Sequence, residues 1–450
     1  MRAPFSGLFL LALAACGVGS EPVSGAGSRP NVVLLISDDH DWEHFGFLGH
    51  PADPTPALDA LAARGAVFEV AQVTPRCRPT LAGLLSGRHE HQTGIFANAA
   101  RLELRGPNLL PRLLQRAGYR TYAEGKFWEG DPREVGFQRG PRQVGGEPGL
   151  RTETFVRADQ RELFEFLGES SERPFFVWWA PRLPHTPHDP PPELRARFET
   201  TEIAVPAWIA PQDRAAFVAA ERTDLAMAAW LDRGLEQLLA RLAEVGALER
   251  TLFVFLADNG WAEGHVSKGS PYEKGVRTPL VLAGPGVPPG LRRSELASHL
   301  DVLPTILDYA GLELPERCAG RSLRPLLDAR PDAAPAWRTT LFGACYPKEA
   351  APENRPEREV YALWAREARW KYVLWTRDVT PAQDEELGIQ HLFAPALERR
   401  RGAEELFDLE ADPYERADLS GAPEHAPELA RLRAAVAAWW RDTGGRPLPE

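Results

Sequence analysis

The chain has 450 residues, of which 44% are hydrophobic and 26% are charged, so its composition is that of a globular protein with a large core. Its formal net charge of −11 argues against a nucleic-acid-binding surface, and an anionic ligand would need a local basic pocket. The chain begins MRAPFSGLFLLALAAC, in which one arginine precedes an apolar run that is too short to span a bilayer. This pattern predicts an export signal.

The segment LAAC ends at Cys16 and matches the lipoprotein box of bacteria. We therefore expect a lipoprotein signal peptide over residues 1–16 and a flexible Gly/Ser-rich tether over residues 17–28. An ordinary signal peptide cut nearby is the alternative. The predicted location is the bacterial periplasm or cell surface, with membrane contact only through a lipid on Cys16. In such an oxidising compartment, Cys318 and Cys345 are the candidate pair for a disulfide.

Apolar strand-like runs alternate with helical patterns along the first two thirds of the chain. Buried-type strands are predicted at Asn31–Ser37, Phe175–Ala180 and Thr251–Ala257, and a long amphipathic helix is predicted over residues 215–244. This rhythm predicts an α/β catalytic domain over residues 29–335, with a mixed, largely parallel sheet flanked by helices. Shorter segments after that point predict a smaller α+β subdomain over residues 336–450.

Two of the predicted strands end in acidic or amide side chains. Asp38 and Asp39 follow the first strand, and Asp258 and Asn259 follow the strand some 220 positions later. Ligands of open α/β sheets bind at the carboxyl ends of the strands, and hard divalent cations prefer carboxylate and amide oxygens. The two pairs together predict a calcium or magnesium site, whereas either pair alone is also compatible with a helix cap or a surface turn.

The segment TPRCRPTLAGLLSGR places Cys77 in a turn between two prolines, at the head of a short helix with leucines on one face. A helix N-terminus favours an anionic ligand because its backbone N–H groups are unpaired. We expect a cysteine in such a turn to be displayed rather than buried, with a core cysteine as the alternative.

In chain order, the motifs LLISDDH, CRPT…LLSGR, GK, PHTPH, ADNG and KG…EKGVRTP resemble those of the sulfatases. The resemblance implies an alkaline-phosphatase-like fold and a Cys77 that a formylglycine-generating enzyme oxidises to formylglycine, whose hydrate is the nucleophile. It also implies Ca2+ ahead of Mg2+ as the metal. The implied metal ligands are Asp38, Asp39, Cys77 as its modified form, Asp258 and Asn259, and the implied catalytic residues are Cys77, Lys126, His185 and Lys268.

Two positions depart from the family pattern. Leu81 stands where the CRPTL signature would have arginine, which leaves Arg76 and Arg78 as the neighbouring candidates for that charge. Trp128 stands where the family has a histidine that takes a proton, and an indole cannot do so, although it can stack on a sugar or aryl ring. The histidines that could act in its place are His89, His91 and His188.

The combined prediction is an exported sulfatase that hydrolyses a sulfated small molecule or glycan. A phosphodiesterase or phosphonate monoester hydrolase is the nearest alternative, because the same site can hold a tetrahedral phosphoryl centre. A catalytically weak lipoprotein that binds sulfated glycans is the alternative from another class.

Overall fold

The computed structural model describes residues 29–100, 102–140, 160–328, 335–351 and 353–448. The signal peptide and tether predicted for residues 1–28 lie outside them. The strands within these ranges are β1 (Asn31–Ser37), β2 (Gly65–Gln72), β3 (Arg120–Gly125), β4 (Phe175–Ala180), β5 (Thr251–Ala257), β6 (Arg277–Ala283), β7 (Leu291–Arg293), β8 (Ala297–Ser298), β9 (Leu341–Cys345), β10 (Ala362–Arg366), β11 (Trp370–Trp375) and β12 (Glu404–Asp408).

The α-helices lie between these strands and at the carboxyl end of the chain. They are α1 (Pro56–Ala63), α2 (Cys77–Ser86), α3 (Glu90–Thr93), α4 (Leu110–Arg116), α5 (Arg161–Gly168), α6 (Pro192–Phe198), α7 (Arg214–Glu244), α8 (Glu273–Val276), α9 (Val302–Tyr309), α10 (Arg324–Asp328), α11 (Pro356–Glu359), α12 (Asp384–Leu387) and α13 (Ala426–Asp442). Within the described residues, no helix is both long and apolar enough to cross a bilayer.

The main sheet has eight strands in the order β3-β4-β1-β5-β6-β2-β7, with β8 beside β2. Strands β3, β4, β1 and β5 run parallel, whereas β6 runs antiparallel to both β5 and β2. The prediction of a mixed, largely parallel sheet is therefore confirmed. All seven residues of β1 are buried, as expected for a central strand with helices on both faces.

Alternate residues of β1 enter two separate hydrophobic clusters because successive side chains point to opposite faces of a sheet. Val32 and Leu34 pack in a cluster that includes Leu84 of α2 and Leu303 of α9. Val33 packs on the opposite face, in a cluster that includes the buried side of the 31-residue helix α7. The sheet therefore forms the middle layer, and its carboxyl edge stays open for a site.

A second, antiparallel sheet in the order β12-β11-β10-β9 follows the main domain and confirms the smaller α+β unit. Helix α13 covers one face of this sheet through Leu432 and Val436. Tyr272 and Val276, which belong to the main domain, pack in the cluster on the other side. The second sheet is thus held against the segment that follows β5.

The predicted pairing of Cys318 with Cys345 is wrong, because both thiols are free. Cys345 lies in β9, inside the cluster that joins the second sheet to Tyr272. Cys318 packs instead against the cluster of the main sheet. The two cysteines belong to different cores, which their spacing in the sequence could not reveal.

Candidate active site

The two acidic pairs predicted from the sequence meet at the carboxyl edge of the main sheet. Strands β1 and β5 are parallel neighbours, and Ser37 lies opposite Ala257 in their register. The N–H of Asp258 donates to the carbonyl of Ser37 at 2.9 Å, and the N–H of His40 donates to the carbonyl of Asn259 at 3.2 Å. Residues far apart in sequence are therefore side by side because they follow paired strands.

Cys77 is the first residue of α2, and the turn before it is held by two threonines. The Thr74 and Thr80 hydroxyl oxygens lie 2.8 Å apart, and the Thr74 hydroxyl donates to the Arg76 carbonyl at 2.8 Å. These bonds hold the cysteine below the end of β1. Its Sγ atom lies 3.8 Å from an Oδ1 of Asp38. One ligand atom from each of Asp38, Asp39, Cys77 and Asp258 lies within 4.8 Å of the others.

The expectation that Cys77 is displayed is wrong, since only 1% of the residue is exposed. The whole of α2 is buried between the sheet and its neighbours, so the cysteine reaches a cavity rather than the outer surface. Burial, reinforced by the carboxylate of Asp258, raises the pKa of the Cys77 thiol to about 12. An unmodified Cys77 would therefore remain a protonated thiol at neutral pH.

Two lysines enter the acidic cluster from different segments. Lys126, directly after β3, places Nζ 2.5 Å from Asp38 Oδ1 and 2.9 Å from Asp258 Oδ2. Lys268, from the segment after β5, places Nζ 2.5 Å from Asp39 Oδ1. Burial alone would lower the pKa of both lysines, but the carboxylates hold it above the usual value. Both ammonium groups are therefore charged.

His185 lies on the loop after β4, which is tied to the end of β1. The N–H of Asp38 donates to the carbonyl of Leu183 at 2.9 Å, two residues before the histidine. His185 Nε2 lies 3.6 Å from Asp39 Oδ2, and its Nδ1 lies 2.8 Å from the carbonyl oxygen of Thr186. The imidazole is half-buried, so it stands between the acidic cluster and solvent.

Burial and neighbouring charges shift the pKa values of two carboxyl groups in this cluster in opposite directions. Burial and the neighbouring Asp38 and Asp39 raise the pKa of Asp258 to about 7, although Lys126 opposes this. Burial would also raise the pKa of Asp39, but Lys268 and the other cations hold it below its usual value. Three buried carboxylates at one point demand nearby positive charge.

A cavity of about 1180 Å3 opens above this cluster and brings together the predicted site residues Asp39, Cys77, Lys126, His185 and Lys268. Sequence reasoning missed several other lining residues, because none of them belongs to the motifs themselves, and three of them come from the second sheet's side of the molecule. These additional residues are Arg182, Trp261, Lys348, Gln390 and His391.

The structure also shows where the three histidines lie that were predicted to act in place of Trp128. His89 and His91 stack on each other with ring centroids 5.4 Å apart and pack against Trp439, and neither lines the cavity. His188 places Nδ1 3.5 Å from Asp224 Oδ1 and is likewise not a lining residue. None of these three histidines can therefore replace the family histidine at position 128. Their positions in the sequence did not show that their side chains lie outside the cavity.

Trp128 and Arg78 both line the cavity but differ in their environment. The Trp128 ring centroid lies 6.0 Å from the Lys126 ammonium, and its indole N–H is buried without an acceptor among the described residues. Arg78 is neutralised by the carboxylate of Glu129, with Nε 2.8 Å from Oε1. Arg78 is therefore not a free charge that could replace arginine at position 81.

Comparison with known proteins agrees with this geometry. A family model described as Sulfatase matches residues 30–312, and one described as N-sulphoglucosamine sulphohydrolase, C-terminal, matches residues 262–383. Human N-sulphoglucosamine sulphohydrolase is 27% identical over an alignment that covers 92% of this chain and 91% of that protein.

Solved structures share the fold. The structure of BT4656 in complex with its substrate D-glucosamine-2-N,6-O-disulfate has a TM-score of 0.75 at 20% identity, over 92% of this chain and 98% of that one. The phosphonate monoester hydrolase of Agrobacterium radiobacter has a TM-score of 0.72 at 19% identity, over 92% and 96%. The fold is thus alkaline-phosphatase-like, and the match over residues 30–312 identifies the chain as a member of the sulfatase family and a sulfuric ester hydrolase.

Proposed function

We propose that this hydrolase cleaves sulfate esters of sugars with residue 77 as a formylglycine and with a divalent cation bound by the carboxylates around it. The observation that carries the proposal is the convergence of Asp38, Asp39, Cys77 and Asp258, with ligand atoms within 4.8 Å of one another, from three separate segments. The human relative, whose name specifies a sulphoglucosamine substrate, supports a sulfated sugar as the substrate class.

The residues fit a hard cation. Oδ2 of Asp38 and Oδ1 of Asn259 are buried and have no hydrogen-bond partner among the described residues, which is costly for oxygen atoms unless a ligand satisfies them. The proposed ligands are Asp38, Asp39, Asp258 and Asn259, with an oxygen of modified residue 77. An all-oxygen set favours Ca2+, with Mg2+ as the second choice. When bound, the cation supplies positive charge for oxygens at the reacting centre.

The modification of Cys77 follows from the same chemistry. A thiol with a pKa near 12 is a poor nucleophile and a poor partner for an oxygen-ligand cation. We propose that a formylglycine-generating enzyme oxidises Cys77, even though the signature has Leu81. The hydrated aldehyde would supply an oxygen nucleophile that a thiol cannot.

The remaining roles belong to side chains that line the cavity. Lys126 and Lys268 hold their ammonium groups at the carboxylate cluster, where they stabilise negative charge that develops on non-bridging sulfate oxygens. His185 stands at the solvent side of the cluster and is the proposed proton donor to the leaving oxygen. Trp128 cannot accept a proton, and we propose that its ring contacts the substrate. His185 and His391 are then the lining histidines that could accept the proton in its place.

Phosphonate or phosphodiester hydrolysis is the second candidate, and the fold of the Agrobacterium phosphonate monoester hydrolase supports it. The deciding experiment compares kcat/KM for 4-nitrophenyl sulfate with that for 4-nitrophenyl phenylphosphonate, with the same Ca2+-loaded protein. The proposal predicts faster sulfate cleavage. Faster cleavage of the phosphonate ester would favour phosphonate or phosphodiester hydrolysis as the activity instead.

We further propose that the protein is exported and is anchored by a lipid on Cys16, with residues 1–16 as signal, 17–28 as tether, 29–335 as catalytic domain and 336–450 as C-terminal subdomain. The short apolar run that ends in LAAC supports the anchor. Membrane contact would then be limited to the lipid.

A further inference from the structure

The active-site cavity carries cations that carboxylates do not neutralise. Of its lining residues, Arg78, Lys126 and Lys268 each pair with a carboxylate. Arg76, Arg182 and Lys348 also line the cavity, and no ion pair is formed by any of the three within the described ranges. The chain as a whole carries a net charge of −11, so this positive excess is local.

Arg76 is the most informative of the three because it is only 3% exposed. Its Nε donates to the Tyr346 carbonyl at 2.8 Å, and its Nη2 donates to the Leu387 carbonyl. Two neutral carbonyls orient the guanidinium but do not balance its charge. A buried charge without a counter-charge is costly, so an anionic ligand in the cavity would be bound favourably there. The planar fork of arginine suits sulfate or carboxylate oxygens.

Arg182 and Lys348 approach the same cavity from different parts of the molecule. Arg182 is half-buried on the loop after β4, and Lys348 is exposed on the loop after β9 of the second sheet. Glu349 and Asp39 are the acidic lining residues, and Asp39 already pairs with Lys268. The three cations therefore outnumber the remaining lining carboxylate.

These cations are not the ones at the reacting centre. Lys126 and Lys268 touch the carboxylate cluster, whereas the Arg76 guanidinium donates to the carbonyls of Tyr346, directly after β9, and Leu387, the last residue of α12. We propose that Arg76, Arg182 and Lys348 hold a second anionic group of the substrate, one that is not cleaved. The preferred substrates are then sugars with at least two anionic groups. This inference rests on the proposed function, since it extends the same cavity.

The test measures binding rather than turnover. Isothermal titration calorimetry on the Cys77→Ala protein compares N-acetyl-D-glucosamine 6-O-sulfate with two disulfated sugars, D-glucosamine 2-N,6-O-disulfate and N-acetyl-D-glucosamine 3,6-O-disulfate. At least one disulfated sugar should bind about tenfold more tightly or better, as expected for one additional charge-assisted contact. Added salt should reduce this preference, because the contact is between charges.

Arg182→Gln and Lys348→Gln in the same background should each reduce the preference severalfold. They are chosen over Arg76 variants because Arg76 is buried and its loss could prevent folding. Arg195→Gln removes the same charge from an exposed position on α6, outside the cavity, and should keep the preference. Unchanged preference in both cavity variants would overturn the assignment of these residues.

Equal affinities for the monosulfated and both disulfated sugars would overturn the second-anion site while leaving sulfate hydrolysis intact. Conversely, the proposed function would be overturned if the protein without the Cys77→Ala substitution, with formylglycine at residue 77, cleaved no sulfate ester. A preference for disulfated sugars in the Cys77→Ala protein would support the anion site in that case too. The two failures are therefore distinguishable.

Discussion

The ion pair between Arg78 and Glu129 should be a main support of the cysteine turn. Arg78 Nε lies 2.8 Å from Glu129 Oε1, and Nη2 lies 3.1 Å from Oε2, with side chains only 5% and 2% exposed. Arg78 also donates to the carbonyls of Ala100 and Leu102 at 2.5 and 2.6 Å, and Glu129 accepts from the N–H of Leu104 at 2.6 Å. The pair thus joins the head of α2 to Ala100, Leu102 and Leu104, of which Ala100 lines the cavity.

Removing one partner leaves the other charge buried and uncompensated. We predict that Arg78→Met or Glu129→Leu alone lowers the free energy of unfolding by about 3–5 kcal/mol. The double variant Arg78→Met/Glu129→Leu should lose clearly less than the sum of the two, because it buries no unpaired charge. The coupling energy of the cycle should be about 2 kcal/mol or more.

Urea unfolding followed by circular dichroism, at a fixed Ca2+ concentration, measures all four proteins. The urea concentration at the midpoint should fall in the single variants and recover in part in the double variant. The slope of the free energy of unfolding against urea concentration should stay unchanged. Single-variant losses below about 1 kcal/mol, or losses that add within about 0.5 kcal/mol, would refute the reasoning.

Three further predictions concern the metal, pH and the anchor. Asp38→Ala and Asp258→Ala should each abolish bound Ca2+, measured by elemental analysis, together with sulfatase activity; full activity in a chelator-treated, metal-free preparation would contradict the metal site. Burial and Glu221 raise the pKa of Glu263 to about 7, from 4.5, so the folded state binds this proton more tightly and stability should fall as pH rises through that window. Glu263→Gln should therefore raise the melting temperature at pH 8 relative to wild type and have little effect at pH 4; equal effects at both would contradict the role of ionisation. Cys16→Ser should move the protein from the membrane fraction to the soluble fraction, and unchanged partitioning would exclude the lipid anchor.

The acidic cluster could be predicted because strand order and side-chain direction constrain it. Ser37 and Ala257 are the last residues of two apolar strands, and the parallel pairing of β1 with β5 brings the residues after them together. A buried strand followed by polar residues carries this information locally, so no long-range contact had to be known. Lys126 after β3 and His185 after β4 were predicted in another way, from the resemblance of the GK and PHTPH motifs to those of the sulfatases.

The cavity wall and the burial of Cys77 could not be predicted in that way. Lys348 occupies the loop after β9, so its place in the cavity wall depends on how the second sheet packs against the main domain. The pairing of Arg78 with Glu129, 51 positions away, likewise depends on tertiary contacts. Motif spacing indicated that Cys77 begins a helix, but the surroundings of that helix buried it.

The chemical state of residue 77 tests the central claim most directly. Peptide mass spectrometry of the exported protein from its native host should find formylglycine at position 77, and the rate of sulfate-ester cleavage should increase in proportion to the modified fraction across preparations. Cleavage of sulfate esters by protein that contains only unmodified Cys77 would contradict the account.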